Sequence, residues 1–345
     1  MTVELDAKPA RTPYAGLDPE RVLDLLDGLG LRGDGRLLQL NSYENRVFQV
    51  FLEDGRVVVA KVYRPGRWSD AAILEEHAFA RDLVASDVPV VAPDRLASTD
   101  GAGLTLIGEP PTLARGSGAL AAYRVAVSAR HAGRSPELED PHTLQWLGRF
   151  LGRLHTVGAQ RKFEHRPNMT PAWFGHAARQ RLLDGHFVTD SERPTWTSWC
   201  DAALACADRA FAEHRGATLR LHGDFHPGNI MWRDEGPHVV DLDDACNGPA
   251  VQDLWMLLSG DAASMRAQLD PLLSGYRMFR AFDERELTLI EPLRTLRMIH
   301  HSAWIAARWD DPAFPAAFPW FGTPAYWSQQ ATQLREQVEA MESAA

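Results

Sequence analysis

Cysteine is scarce in this chain. Three residues, Cys200, Cys206 and Cys246, occur among 345. Their number is odd, and their spacing matches neither a disulfide framework nor a zinc site, which fits a reducing cytoplasm. A basic excess is also missing. The net charge is −10 and the isoelectric point is near 5.7, which argues against a nucleic-acid footprint across the whole surface. No apolar run reaches the ~18 residues of a membrane-spanning helix. The N-terminal "MTVELDAKPARTPYAG" lacks the apolar stretch of a secretory signal. No internal repeat or low-complexity segment stands out. These absences leave a cytoplasmic globular protein with no nucleic-acid and no membrane partner, and a monomer is expected.

What is present divides in two. The length suggests about two domains, and 45% hydrophobic with 24% charged residues is ordinary for a chain with a sizeable core. In "LDPERVLDLLDGLG", Asp18 can cap a helix, Pro19 suits its first position, and Gly28 or Gly30 can end it. "RLLQLNSYENRVFQVFLEDGRVVVAKVYR" reads as three strands with turns at "NSYEN" and "EDGR". A helix follows in "SDAAILEEHAFARDLVAS", capped by Ser69. Ile73, Phe79, Ala80, Leu83 and Val84 share its apolar face, with Glu76 in the middle of that face and Glu75 to its side. "LTLIGEPP" and "YRVAVSARHAGR" read as further strands, and "ARGSGAL" as a connection between them. Beyond this the patterns are mostly helical, beginning with Leu144, Leu147, Leu151 and Leu154 at helical spacing. The expected class is α+β. A small antiparallel-sheet lobe with a leading helix occupies 1–130. A larger, mainly helical lobe occupies 131–345 and carries the catalytic and metal-binding loops.

The chemistry concentrates in "LRLHGDFHPGNIMW" and "VVDLDDA". Asp224 and Asn229 have the D-x-x-x-x-N spacing of a phosphotransferase loop, and Asp241 lies twelve residues beyond Asn229. Phosphoryl transfer requires positioning and charge neutralisation above all. Asp224 suits the role of proton acceptor from the incoming hydroxyl. Asp241 suits the role of holding Mg²⁺ against ATP, and the Asn229 amide oxygen can complete the metal's shell, since hard oxygen ligands match Mg²⁺. Lys61, inside the apolar strand "VVVAKVY", can reach the nucleotide's α- and β-phosphates. A buried unpaired carboxylate is costly, so Glu76, rather than Glu75, is the expected partner of Lys61.

"HGDFHPGNI", "VVDLDDA" and "VQDLWML" resemble the aminoglycoside and choline phosphotransferase branch of the protein-kinase-like superfamily. "NSYENRVFQV", "KVYRPGRW", "ILEEHAFA", "GNIMWRD", "EPLR" and "RWDDPAFP" extend the resemblance over about residues 17–330. They narrow it to the stress response kinase A family of bacterial Ser/Thr protein kinases. The resemblance implies a bilobal kinase-like fold, Asp224 as proton acceptor, Asn229 and Asp241 as Mg²⁺ ligands, and Ser42 at the ATP phosphates. It also implies a protein substrate phosphorylated on Ser or Thr, in a stress response. Two departures from eukaryotic protein kinases stand out. "NSYENR" replaces a G-x-G-x-x-G loop, and "HGD" replaces "HRD", so an arginine clamp on a phosphorylated activation loop is not expected.

Two other functions share these residues. One is a small-molecule kinase acting on an amino alcohol, sugar or antibiotic. The other is a nucleotide-binding pseudokinase, which retention of Asp224, Asn229, Asp241 and Lys61 disfavours. His222 and His226 have i, i+4 spacing but sit beside Pro227 and Gly228, which argues for loop support over metal binding. Asp243 and Asp244 read as braces after the metal aspartate, and Asp253 as a brace on the catalytic loop. The aromatic "FPWFGTPAYW" reads as core packing ahead of an acceptor cleft.

Overall fold

The computed structural model describes residues 12–99, 103–214 and 216–344. The polar segment read above as no export signal lies, for residues 1–11, outside the described residues. Two compact units emerge, one of 1–136 with 228–243 and one of 137–227 with 244–345.

In the first unit, α1 (Pro19–Gly28) is capped by the Asp18 side chain, which accepts from Arg21 N, and Pro19 opens it. Strands β1 (Gly33–Leu40), β2 (Arg46–Leu52) and β3 (Val57–Tyr63) form an antiparallel meander. Then come α2 (Asp70–Ala85), β4 (Thr105–Ile107), β5 (Leu113–Arg115) and β6 (Arg124–Ala129). The six strands form one antiparallel sheet in the order β1-β2-β3-β6-β5-β4. Strand alternation sorts the side chains of β3. Val58, Ala60 and Val62 pack with Val22, Leu25 and Leu26 of α1. Tyr63, two positions from Lys61, packs with Ile73 of α2. Lys61 therefore projects from the α2 side of the sheet. Ser69 caps α2 by accepting from Ala72 N, and Glu76 is buried in the helix with Ile73, Ala80 and Leu83. Val84, at the edge of that apolar arc in the last turn, is 48% exposed. "ARGSGAL" is a connection only from Gly116 onward. Ala114 and Arg115 belong to β5, a three-residue strand too short to show alternation, whose Leu113 and Ala114 are buried.

The second unit begins with α3 (Pro141–Gly158), α4 (Ala177–Asp184), α5 (Arg193–Glu213) and β7 (Leu219–Leu221). The chain then rejoins the first unit for the hairpin β8 (Ile230–Arg233) and β9 (Gly236–Val239). Back in the second unit are β10 (Cys246–Gly248), α6 (Val251–Trp255), α7 (Ala262–Tyr276), α8 (Ile290–Ala306), α9 (Ala313–Ala317) and α10 (Pro324–Ala344). β7 and β10 pair antiparallel. Leu144, Leu147, Leu151 and Leu154 are all buried on α3. This helix lies so close to α7 that a Cβ at Gly148 would meet Leu272 O at 1.9 Å. Helices α4, α5, α8 and α10 share a core around Trp196, Leu204, Leu296 and Trp327. Phe321 and Trp327 of the aromatic C-terminal segment are buried there, and Trp320 is 44% exposed. Antiparallel sheet and helical remainder make the fold α+β. No helix among the described residues is long and apolar enough to cross a membrane.

Candidate active site

The first unit gathers a charged cluster around Lys61. Its Nζ lies 3.5 Å from Glu76 Oε1, 3.2 Å from Asp241 Oδ1 and 3.1 Å from Asp243 Oδ1. Burial works against the lysine's charge, but Asp243 and Glu76, with Asp241, outweigh it and hold its pKa well above the ordinary value. Glu76, centred on the buried arc of α2, is the glutamate that meets Lys61; Glu75 is half-buried beside it.

Asp243 is a hub of the cluster that the sequence reading treated only as a brace. It is 2% exposed. Its Oδ2 accepts from Asn45 Nδ2 at 3.1 Å and pairs with Arg67 Nη1. Asn45 Oδ1 accepts from Arg64 N at 3.1 Å, and Arg64 Nε pairs with Glu44 at 3.0 Å. The "NSYEN" turn is thus tied to the Asp243 carboxylate. Within that turn Ser42 Oγ accepts from Asn45 N at 3.3 Å. A buried carboxylate demands cationic partners, but nothing in the sequence marked Asp243 as buried. Arg67 as its partner was hidden as well, because it lies 176 residues away.

Asn229 and Asp241 flank the β8–β9 hairpin. Val240 N donates to Asn229 O at 3.0 Å, which brings the start of β8 beside the end of β9. Asp241 has φ +63, a left-handed conformation that aspartate tolerates better than most residues but that still costs energy. Such strain is typical of functional positions. The donor set suits a hard divalent cation. Four carboxylates of the cluster, Glu44, Glu76, Asp241 and Asp243, meet three cations, Lys61, Arg64 and Arg67. Among them the Asp241 side chain, at 51%, is well exposed. No group of three or more His, Cys, Asp or Glu poised for a metal occurs among the described residues. A cation at Asp241 would therefore draw on the Asn229 amide, phosphate oxygens and water, as Mg²⁺ commonly does.

Asp224 belongs to the second unit, five residues before Asn229 on the same loop. Its Oδ1 accepts from Arg297 Nη1 of α8 at 2.6 Å, and its Oδ2 lies 3.4 Å from His226 Nε2. Burial favours its neutral form, but the His226 hydrogen bond and the Arg297 charge outweigh burial and hold the carboxyl far below the usual range. Asp253 braces the loop as expected: it accepts from His222 N and Gly223 N, each at 2.9 Å. It is held in turn by His155 Nε2 at 3.0 Å, and the Tyr276 hydroxyl completes the chain at His155 Nδ1, also 3.0 Å. His222 is fully buried and its Nδ1 accepts from Asp224 N, a supporting role. Gly223 has φ +86, and a Cβ there would meet Asp244 O at 2.2 Å. An arginine in the middle of "HGD" has no room in this loop. Arg297 was not legible in the sequence, because an arginine on a helix normally signals a solvated face.

The sequence model of the phosphotransferase enzyme family matches residues 36–290. Stress response kinase A of Salmonella choleraesuis is 43% identical over 328 residues, covering 95% of this chain and 94% of the relative. The Salmonella typhimurium protein named serine/threonine protein kinase RdoA is 43% identical with the same coverage. Stress response kinase A of Escherichia coli K12 is 41% identical over 95% of both chains. Among solved structures, amicoumacin kinase hAmiN in complex with AMP-PNP, Ca²⁺ and Ami aligns with a TM-score of 0.69 at 19% identity, covering 95% of each chain. A microcompartment-associated aminopropanol kinase aligns at 0.66 and 18%, covering 94% of this chain and 97% of the other. These two likenesses concern the fold. With the family matched from 36 to 290 and the relatives matched over nearly the whole length, the chain belongs to the phosphotransferase enzyme family, among its stress response kinase A members.

Proposed function

We propose that this phosphotransferase is an ATP- and Mg²⁺-dependent protein kinase that phosphorylates Ser and Thr hydroxyls in a bacterial stress response. The observation that carries the reading is the held lysine: Lys61 Nζ lies 3.5 Å from Glu76 and 3.2 Å from Asp241. A lysine suited to contact phosphates, the glutamate beside it and an aspartate suited to a metal lie together in one unit. The name of the Salmonella typhimurium relative supports a protein acceptor, and the nucleotide analogue and divalent ion of the amicoumacin kinase complex are consistent with ATP and a metal. Lys61, held by Glu76, contacts the α- and β-phosphates, and Ser42 with its turn lies at the phosphates. Asn229 and Asp241 would hold Mg²⁺, which when bound would supply neutralisation of phosphate charge. The acceptor hydroxyl oxygen bonds to the γ-phosphorus as the bond to the β–γ bridging oxygen breaks. ADP leaves with that oxygen, and the hydroxyl proton passes to Asp224. The three cysteines are free thiols, in keeping with a cytoplasmic enzyme, and the proposed working form is a monomer.

The fold is shared with kinases named for an antibiotic and for an amino alcohol, so a small-molecule acceptor is the second reading. Transfer of labelled γ-phosphate from ATP to cell extract, compared between wild type and Asp224→Asn, tests both. Wild-type labelling of proteins on Ser or Thr, lost in the variant by about 10²–10⁴ in rate, is the expected result. Label confined to small molecules would replace the protein acceptor. Nucleotide binding without any transfer would indicate a pseudokinase.

A further inference from the structure

Asp224 poses a puzzle as a proton acceptor. A general base works best with a pKa near the operating pH. Burial pushes the Asp224 carboxyl up toward that range, but the His226 hydrogen bond and the Arg297 charge outweigh burial and hold it far below the usual carboxylate values. The Arg297 contact is short and charge-assisted: Nη1 donates to Asp224 Oδ1 at 2.6 Å. The cation comes from outside the loop, because residues Phe225 to Gly228 include neither Lys nor Arg. Burial and the Arg297 charge push the imidazole of His301, one turn further along α8, toward its neutral form. Arg297 is thus the permanent charge that α8 brings to Asp224.

The arginine is itself set in place. Leu293, Leu296 and Ile299 bury α8 on either side of it. Its Nη1 lies 4.0 Å from Met256 Sδ. Met256 Sδ accepts from Gln252 Nε2 at 3.4 Å, and the same amide donates to Gly223 O at 3.0 Å. One connected set of side chains therefore grips both the loop backbone before Asp224 and the carboxylate on it.

We propose that Arg297 is a positioning residue for phosphoryl transfer, fixing the Asp224 carboxylate through Oδ1 in the orientation that receives the acceptor hydroxyl. The inference rests on the reading of Asp224 as proton acceptor. It also resolves the puzzle. Phosphoryl transfer passes through a loose transition state, in which the incoming oxygen has formed little of its bond to phosphorus. The hydroxyl keeps its proton until that bond forms, so a stronger base gains little. Aim matters more, since a displacement of ~1 Å can cost about 10²-fold. The hydroxyl oxygen bonds to the γ-phosphorus while the β–γ bridging oxygen departs with ADP. The hydroxyl thereby becomes strongly acidic, and its proton passes late to the carboxylate. A carboxylate offers about four lone-pair sites, so the grip of Arg297 does not exhaust the group.

The test is a double-mutant cycle in the full-length protein. Label is followed from γ-labelled ATP to all acceptors of a cell extract, protein and small-molecule alike. At one low extract concentration, ratios of initial rate compare kcat/KM. Arg297→Ala is expected to lose about 10–10²-fold, with nucleotide affinity and unfolding midpoint unchanged. In the Asp224→Asn background the same substitution is expected to cost no more than about 2-fold, because the carboxylate it orients is gone. Guanidinium at a non-denaturing concentration is expected to restore part of the transfer lost in Arg297→Ala and none of that lost in Asp224→Asn. Arg297→Gln, which keeps more of the packing, takes the alanine's place if the alanine lowers the unfolding midpoint. Wild-type transfer by the Arg297 variants, losses that add in the cycle, or a loss that guanidinium does not reverse overturns the proposal and leaves Asp224 as proton acceptor. Wild-type transfer by Asp224→Asn removes the proton-acceptor reading itself.

Discussion

Lys61 Nζ lies 3.1 Å from Asp243 Oδ1, closer than its 3.5 Å to Glu76 Oε1. The lysine therefore has two buried anchors, one on α2 and one two residues beyond Asp241, after the β8–β9 hairpin. The glutamate should still be coupled to it. Lys61→Ala removes the phosphate contact, and Glu76→Ala chiefly misplaces Lys61. Their combined loss in log kcat/KM is expected to fall short of the sum of the single losses. The pair Lys61→Ala/Glu75→Ala is expected to be additive. Coupling to Glu75 in place of Glu76 would reverse the assignment.

Removing the second anchor should act on stability. The Asp243 side chain is 3% exposed and faces Lys61, Arg67 and Asn45. Asp243→Ala leaves two largely buried cations without their shared carboxylate, a loss of about 3–5 kcal/mol for a broken buried pair. Equilibrium urea unfolding measures it. A change under about 1 kcal/mol would show that Glu44, Glu76 and Asp241 compensate, and Asp243 would not be the hub.

The catalytic loop makes a sharper steric prediction. Gly223→Ala puts a Cβ 2.2 Å from Asp244 O at φ +86. Left-handed strain of ~1–3 kcal/mol adds to overpacking of ~1–3 kcal/mol. The loop bearing Asp224 is expected to shift, with kcat falling at least about 10-fold. An alanine variant with wild-type kcat and unfolding midpoint would contradict the packing described.

What the sequence disclosed and what it hid follow from how far each signal reaches along the chain. Caps at Asp18 and Ser69, strand alternation around Lys61 and the leucine spacing of α3 are local patterns, and all appear in the fold. Glu76 was legible because a carboxylate inside an apolar stripe is a local contradiction that needs a partner. Strand β5 was not, since three residues are too few to show a period. Asp243 looked like one of several loop acids until Arg67 and Asn45 were placed beside it. Arg297 lies 73 residues from Asp224, and no pattern near either residue announces their contact.

Glu286 gives a pH-dependence with a definite sign. Burial pushes its carboxyl up from the ordinary 4.5 to about 7, against the hydrogen bond that Val251 N donates to it at 2.8 Å. Between those values the folded state binds more protons than the unfolded state, so stability contributed by this group is full below pH ~4.5 and is lost as pH rises toward ~7. Glu286→Gln removes the titration. The variant's unfolding free energy is expected to fall less steeply than wild type's from pH 5 to 7, by about 2 kcal/mol over the interval. Parallel pH profiles would mean that Glu286 does not titrate in that range.

Asp241 and Asn229 should separate by charge. Asp241 follows β9 at φ +63 with its side chain 51% exposed, and Asn229 is tied to the same end of the hairpin through Val240 N. If both hold Mg²⁺ at the nucleotide phosphates, Asp241→Ala removes a full negative charge from the metal's shell, while Asn229→Ala removes a neutral dipole. Nucleotide affinity is measured by titration across a range of free Mg²⁺. Asp241→Ala is expected to abolish most of the Mg²⁺-dependent gain in affinity and to lower activity with it. Asn229→Ala is expected to shift the half-saturating Mg²⁺ concentration upward by about 10-fold, in line with other losses at metal sites, while keeping a measurable gain. The Asp241 result carries a built-in control. Asp241→Ala also frees Lys61 from one carboxylate at 3.2 Å, so affinity without Mg²⁺ should stay the same or rise. A variant that loses Mg²⁺-free affinity as well would point to a misplaced Lys61, and the metal role would have to move elsewhere.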